Sequence, residues 1–224
     1  MPAASTFCVR RAAVLGAGVM GAQIAAHLAN ANVPVLLYEL ATKEGDPSGN
    51  VVKAIENLRK IEPSPLALPS RALHIQPANY DEHLPLLREC DLVIEAISER
   101  MDWKSELYRK VAPHLGPNTI FASNTSGLSI NTLAAAFPAA LRSKPPRYML
   151  PVELIPAAAT EPQLLDDLET FLTTTLGKGV VRAKDTPNFI ANRVGVFSLL
   201  ATVHHAQRLG IGFDTVDALT GALI

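Results

Sequence analysis

The chain has 224 residues, 48% of them hydrophobic, and a formal net charge of −1. That length buries a sizeable core and leaves room for one large domain and a small one, while a near-neutral charge without a basic run argues against nucleic acid or an anionic membrane as the main partner. Cys8 and Cys90 are too few for a disulfide framework, no apolar run reaches the roughly 18 residues of a membrane span, and residues 1–7 are too short for a signal or transit peptide, so the expectation is a soluble cytoplasmic protein.

Residues 12–15 are small or branched and apolar, the mark of a buried strand. They run into Gly16-Ala17-Gly18-Val19-Met20-Gly21, which fits G-x-G-x-x-G. Each glycine has a separate task in that pattern: Gly16 permits the tight turn, Gly18 lets backbone approach a pyrophosphate, and Gly21 lets the next helix pack against the sheet. That helix, 19–30, carries Met20, Ile24 and Leu28 on one side and aims its free N–H groups at the loop. A second strand, 33–38, is closed by Glu39, 18 residues past Gly21. A carboxylate there accepts the ribose hydroxyls of an adenosine and repels a 2′-phosphate, which selects NAD over NADP. Strand, loop, helix, strand and acid in this order supply the context that a G-x-G-x-x-G alone lacks.

Residues 41–49 read as a loop and 50–61 as a helix with apolar Val51, Ile55, Leu58 and Ile61. Pro63, Pro65 and Pro69 make 62–70 a connector. A short strand at 73–76 and a short helix at 82–88 lead to residues 91–97, a continuous apolar run of the kind a parallel strand buried on both faces shows. A helix follows from Asp102 to Leu115, stopped by Gly116-Pro117. The strand at 119–122 delivers Ser123-Asn124-Thr125-Ser126 just beyond its carboxyl end, the edge where open α/β sheets bind ligands. A short helix at 130–136, a strand at 150–155 with an awkward Pro151, a helix at 164–176 closed by Gly177, and a strand at 180–183 come next. Pro187 opens a helix running to Leu209, with Ile190, Val194, Phe197 and Ala201 on one apolar face. Gly210 and Gly212 end it, and 213–223 begins another. The expected fold is therefore α/β, a Rossmann-type doubly wound and mostly parallel sheet, followed by the start of an all-helical domain. The boundary near 184–187 gives a nucleotide-binding unit 1–185 and a partial helical unit 186–224.

VLGAGVMG, DLVIEAISERMDWKSELY, FASNTSGLSI and KDTPNFIANR, in this order, resemble the NAD-dependent 3-hydroxyacyl-CoA dehydrogenases of fatty-acid β-oxidation, in the form of the dehydrogenase portion of bacterial β-oxidation enzymes. The resemblance implies NAD as cofactor, an acyl-CoA substrate, and a homodimer made through the helical domain. It puts Gly16, Gly18, Val19, Met20 and Gly21 on the pyrophosphate, Glu39 on the adenine ribose, and Glu99 and Lys104 in further contacts to the cofactor. Ser126 matches the family's active-site serine, Asn192 an asparagine at the substrate's reacting end, and Glu153 the acid that supports the catalytic histidine. Read without the resemblance, Ser126 is a turn hydroxyl, Asn192 an amide bonded to helix backbone, Glu99 and Lys104 a surface ion pair, and Glu153 a surface carboxylate on a strand.

One departure bears on chemistry. The family's general base is a histidine in an H-F-F-N-P motif between the serine segment and the glutamate, and residues 141–149, LRSKPPRYM, hold no histidine. None of His27, His74, His83, His114, His204 and His205 occupies the matching place. A positioned base contributes about 10²- to 10⁴-fold to such a reaction. The expected function is oxidation of (S)-3-hydroxyacyl-CoA to 3-oxoacyl-CoA with NAD; the alternative is a non-catalytic NAD-binding remnant of such an enzyme. Smaller departures are Gly127 in place of a second serine and Asn188 where glycine is usual.

Overall fold

The computed structural model describes residues 7–137 and 151–221. β1 (Ala12–Leu15), β2 (Val35–Glu39), β3 (Ile75–Asn79), β4 (Leu92–Glu95) and β5 (Ile120–Ser123) form one sheet in the order β3-β2-β1-β4-β5, all parallel. The strand order reverses between β1 and β4, where consecutive crossovers leave to opposite sides and open a crevice. β1, β4 and β5 are buried along their whole length, as their continuous apolar runs require. Register brings the strand ends level: Leu15 lies opposite Tyr38 and Glu95, and Glu95 opposite Ser123. The residues that follow them, Gly16, Glu39, Ala96 and Asn124, therefore share one edge.

The helices between strands are α1 (Val19–Asn30), α2 (Gly49–Leu58) and α3 (Met101–Val111), with α4 (Ile130–Ala135) after β5. α1 buries Ile24, Ala25, Leu28 and Ala29 against the sheet. Met20, expected on that stripe, is 44% exposed, beside Val19 at 75% in the first turn of α1. β2 starts at Val35, two residues later than its apolar run, and short 3-10 turns stand where a strand start and a short helix were expected at 73 and 82.

β6 (Pro151–Leu154) and β7 (Gly179–Arg182) make a separate parallel pair, connected through α5 (Pro162–Thr170). Proline opens β6, a position where it removes no needed donor. Among the described residues this pair has no ladder to the five-stranded sheet. It joins the same core nonetheless: Val152, Leu154, Leu168 and Phe171 pack with Val14 and Leu28 on the α1 side. Residues 141–149, which hold no histidine, lie outside the described residues.

α6 (Ala191–Leu209) and α7 (Phe213–Thr220) complete the chain. The helix expected from Pro187 begins only at Ala191, because Asn188 and Phe189 both take positive φ, 62° and 48°, which breaks a right-handed helix. Asparagine tolerates that conformation better than most residues, which accounts for its place where the family has glycine. α6 ends at Gly210 in the left-handed region, the common glycine stop. Ala206 alone is buried on α6, and Val194, Phe197, Leu199 and Leu200 are more than half exposed. No helix among the described residues is long and apolar enough to cross a membrane.

Candidate functional site

At the crevice between β1 and β4 the glycine loop is shaped by close backbone contacts. Gly16 has φ +108°, and a Cβ there would lie 2.8 Å from the Ala96 carbonyl oxygen. A Cβ on Gly21 would fall 1.8 Å from the Gly16 oxygen and 3.4 Å from the Ala96 side chain. At Gly21 the missing Cβ makes room for the Gly16 carbonyl and, less tightly, for the Ala96 side chain. Gly18 differs: a Cβ there would meet no protein atom within 4 Å. It faces open space in front of the α1 N-terminus, whose N-cap has no side-chain hydrogen bond. Free N–H groups and the positive helix end make this a place for an anion. Val19 is 75% exposed beside it.

The Glu39 carboxylate is oriented from two sides. Oε2 accepts the Ala17 N–H at 2.9 Å and Oε1 the Leu40 N–H at 2.9 Å. A carboxylate has about four acceptor positions, so capacity remains for hydroxyls in the cleft. Gly16, Gly18, Glu39, Ala96, Tyr80 and Trp103 are among the residues that line that cleft, about 440 Å³ in volume. The Tyr80 hydroxyl is buried without a hydrogen-bond partner among the described residues. Burial, and then the charge of Glu39, push its ionisation well above that of an ordinary tyrosine, so it stays a neutral donor. A nicotinamide dinucleotide fits this set: open space at Gly18 for the pyrophosphate, and acceptors and a donor around the adenosine half.

Behind the crevice lies a buried cluster centred on Glu95, an acid that the motif pattern does not single out. Glu95, wholly buried at the end of β4, accepts the Lys104 ammonium at 2.6 and 2.7 Å, the Tyr108 hydroxyl at 2.9 Å, the Ser123 hydroxyl at 2.6 Å and the Ile97 N–H at 2.7 Å. Lys104 is equally buried. Its ammonium is held by Glu95, with the Glu99 carboxylate at 3.6 Å. Burial and the nearby Glu95 charge raise the Tyr108 hydroxyl, which stays protonated and donating. The signal for this cluster was present as an acid inside an apolar run, since a buried charge demands partners.

Glu99 turns to the Ser126 segment. Its Oε1 accepts the Thr125 hydroxyl at 2.6 Å, the Ser126 N–H at 2.6 Å and the Gly127 N–H at 2.8 Å. Burial alone pushes this carboxyl up, but hydrogen bonds from Thr125, Gly127 and Ser126, with the Lys104 charge, hold it below the ordinary glutamate value. Asn192, on the first turn of α6, donates from Nδ2 to the Ser126 carbonyl at 2.8 Å. The structure thus joins Glu99, Ser126 and Asn192, which lie far apart in sequence. Glu153 is not a surface carboxylate. It is 5% exposed and accepts the Ile190 N–H at 2.8 Å and the Ala191 N–H at 2.9 Å. Asp185 was also passed over; it accepts the Ser129 hydroxyl and the Ile130 and Asn131 amides, fixing α4 to the linker before α6. Among the described residues no histidine bonds to Ser126 or Glu153. His27 sits on α1 beside the Leu176 carbonyl, and His83 accepts the Asn79 N–H.

The family model for the 3-hydroxyacyl-CoA dehydrogenase NAD binding domain matches residues 11–186. A Rickettsia prowazekii protein named for a fatty acid oxidation complex trifunctional enzyme is 39% identical, over 94% of this chain and 31% of its own length. The mitochondrial hydroxyacyl-coenzyme A dehydrogenase of Sus scrofa is 32% identical, over 96% of this chain and 71% of its own. Among solved structures, FadB2 of M. tuberculosis superposes with a TM-score of 0.78 at 29% identity, covering 97% of this chain and 78% of its own. The chain spans about a third of the length of the Rickettsia prowazekii relative and of a Bacillus subtilis relative that it matches at 38% identity.

Proposed function

The chain belongs to the 3-hydroxyacyl-CoA dehydrogenase family, whose NAD-binding domain it carries, and we propose that it serves the oxidation of an (S)-3-hydroxyacyl-CoA to the 3-oxoacyl-CoA. The observation that carries this reading is the meeting of Ser126 and Asn192 at the same sheet edge as the glycine loop. NAD, when bound, supplies the acceptor for the hydride leaving C3. In this reading Gly16, Gly18, Val19, Met20 and Gly21 present backbone to the pyrophosphate, and Glu39 takes the ribose hydroxyls. Ser126 and Asn192 hold the reacting oxygen, and Glu99 and Lys104 keep the Ser126 turn in place from behind. Residues 1–185 form the NAD-binding unit and 186–224 part of a helical unit that meets acyl-CoA and a second protomer. The two free cysteines, Cys8 and Cys90, fit a reducing cytoplasmic setting.

A second reading has its own support. The alcohol proton needs an acceptor, both Glu153 oxygens hold amides of α6, and no histidine reaches Ser126 among the described residues. This favours a chain that binds NAD and turns over slowly or not at all. Mixing the protein with NAD and 3-hydroxybutyryl-CoA, and following NADH, tests both. We expect NADH to bind and the rate to lie about 10²- to 10⁴-fold below that of the same chain given the family's H-F-F-N segment between Lys144 and Pro145. Turnover at about 1–10³ per second by the chain as it stands would overturn the missing-base account, and failure to bind NADH would overturn the dehydrogenase reading.

A further inference from the structure

Glu153 is expected to steady a histidine, yet it is committed elsewhere. It sits on β6 between Val152 and Leu154, both buried, and each of its carboxylate oxygens accepts one amide of the α6 N-terminus. Those are the N–H groups of Ile190 and Ala191, which a helix cannot satisfy internally. Ile190, the N-cap residue, offers no side-chain cap of its own. A carboxylate is the favoured partner there, since its charge also meets the positive helix end. The turn that delivers the amides is built for the approach: Asn188 and Phe189 are left-handed, and the Phe189 ring is buried.

Asn192 follows directly. Its side chain crosses to the Ser126 carbonyl at 2.8 Å, while Glu99 holds the Ser126 and Gly127 amides from the other side. A continuous path runs from β6 through Glu153, the first turn of α6 and Asn192 to the Ser126 turn. The rest of α6 supplies little alternative anchoring, because only Ala206 of its residues is buried. We propose that Glu153 is a positioning residue for the acyl end of the site: by gripping the first amides of α6 it sets where Asn192 meets Ser126. The inference rests on the dehydrogenase reading only for what Asn192 does to an acyl-CoA; the grip itself stands on the geometry.

The test uses the full chain with Glu153→Ala, Glu153→Gln, Asn192→Ala and the Glu153→Ala/Asn192→Ala pair. Amide hydrogen exchange at residues 190 and 191 and the side-chain amide resonance of Asn192 report the grip. Binding of acetoacetyl-CoA in the presence of NAD, by calorimetry, reports its consequence. In Glu153→Ala we expect faster exchange at both amides, by about tenfold or more for the loss of hydrogen bonds to a charged acceptor, and a displaced Asn192 resonance. Glu153→Gln, with one acceptor oxygen, should fall between Glu153→Ala and the native chain. Acetoacetyl-CoA should bind Glu153→Ala about as weakly as Asn192→Ala, and the pair no more weakly than either, because both changes remove one shared contact. An Asn192 resonance left in its native place in Glu153→Ala, or losses that add in the pair, would overturn the proposal. If the native chain does not bind acetoacetyl-CoA, the dehydrogenase reading fails while exchange and resonance still decide the grip. Should Glu153→Ala fail to fold by circular dichroism, Glu153→Gln makes the same comparison.

Discussion

Phe121 and Phe197 are the same residue in two regions that the chain treats oppositely. Phe121, on β5, is 3% exposed and sits against Tyr108 and Phe137 with ring centroids 5.0 and 4.7 Å away. Phe197, on α6, is 74% exposed. Around Phe121 each apolar face has a partner, and the buried charges of Glu95 and Lys104 answer one another. Around Phe197, among the described residues, the apolar face of α6 looks across a groove lined by Val194, Phe197, Leu209 and Leu219 to the short α7. The contrast separates two things that a hydrophobic stripe encodes. The stripe forms the helix in both regions, but it is buried only where another element of the chain is shaped to cover it.

Breaking the buried side of the comparison should have the largest effects. Glu95→Gln leaves the Lys104 ammonium without its carboxylate and should cost about 3–5 kcal/mol, read as a lower urea midpoint. Adding Lys104→Met should restore most of that loss, because a well-packed apolar pair often replaces a buried ion pair at little cost. Phe121→Ala should cost about 3–5 kcal/mol as a core truncation, whereas Phe197→Ala should stay within about 0.5 kcal/mol; equal losses at the two positions would contradict the burial contrast. Phe197→Asp should instead change association. A native chain that self-associates in light scattering, and a variant that does so less, is the expected outcome, since an exposed apolar patch of this kind tends to be covered by another surface.

The cofactor cleft gives a sharper, local version. A Cβ at Gly18 meets no protein atom within 4 Å, so Gly18→Val should keep the melting temperature of the native chain and lose NADH binding in a fluorescence titration. Gly21→Ala should lower stability, because its Cβ collides with the Gly16 carbonyl. Glu39→Ala should weaken NAD by about 1.5–3 kcal/mol, the scale of a hydrogen bond to a charged group, and narrow the preference against NADP.

The smallest expected effect is a pH dependence at the Ser126 turn. For Glu99 and Asp185 alike, burial raises the carboxyl and the surrounding hydrogen bonds outweigh it, so both sit below their ordinary values of 4.5 and 3.8. A carboxylate depressed in the folded state contributes stability that is full above its ordinary value and is lost as the pH falls through the lower folded one. Thermal melts from about pH 5 to 3 should therefore fall less steeply for Glu99→Gln than for the native chain. Identical slopes would mean that the turn does not depend on the Glu99 charge.

The amino-acid sequence by itself determined the order of strands and helices, the glycine loop and the acid that closes β2. These are local: runs of apolar residues, glycines at fixed spacing, and a carboxylate at a strand end act within a few residues of one another. It also named Ser126, Asn192, Glu99 and Glu153, but only as separate positions matched to a family pattern. Which of them touch was decided by the tertiary structure. Parallel register brings Glu95 level with Ser123, so a carboxylate read as part of an apolar strand holds Lys104, Tyr108 and Ser123 together. The left-handed pair Asn188-Phe189 turns α6 so that its first amides reach Glu153 and its asparagine reaches Ser126. Hydrogen bonds between residues 37 and 66 positions apart leave no periodic trace in a sequence. They depend on where the chain is folded back, and for a buried carboxylate that decides whether it meets an ammonium, a backbone amide or a histidine.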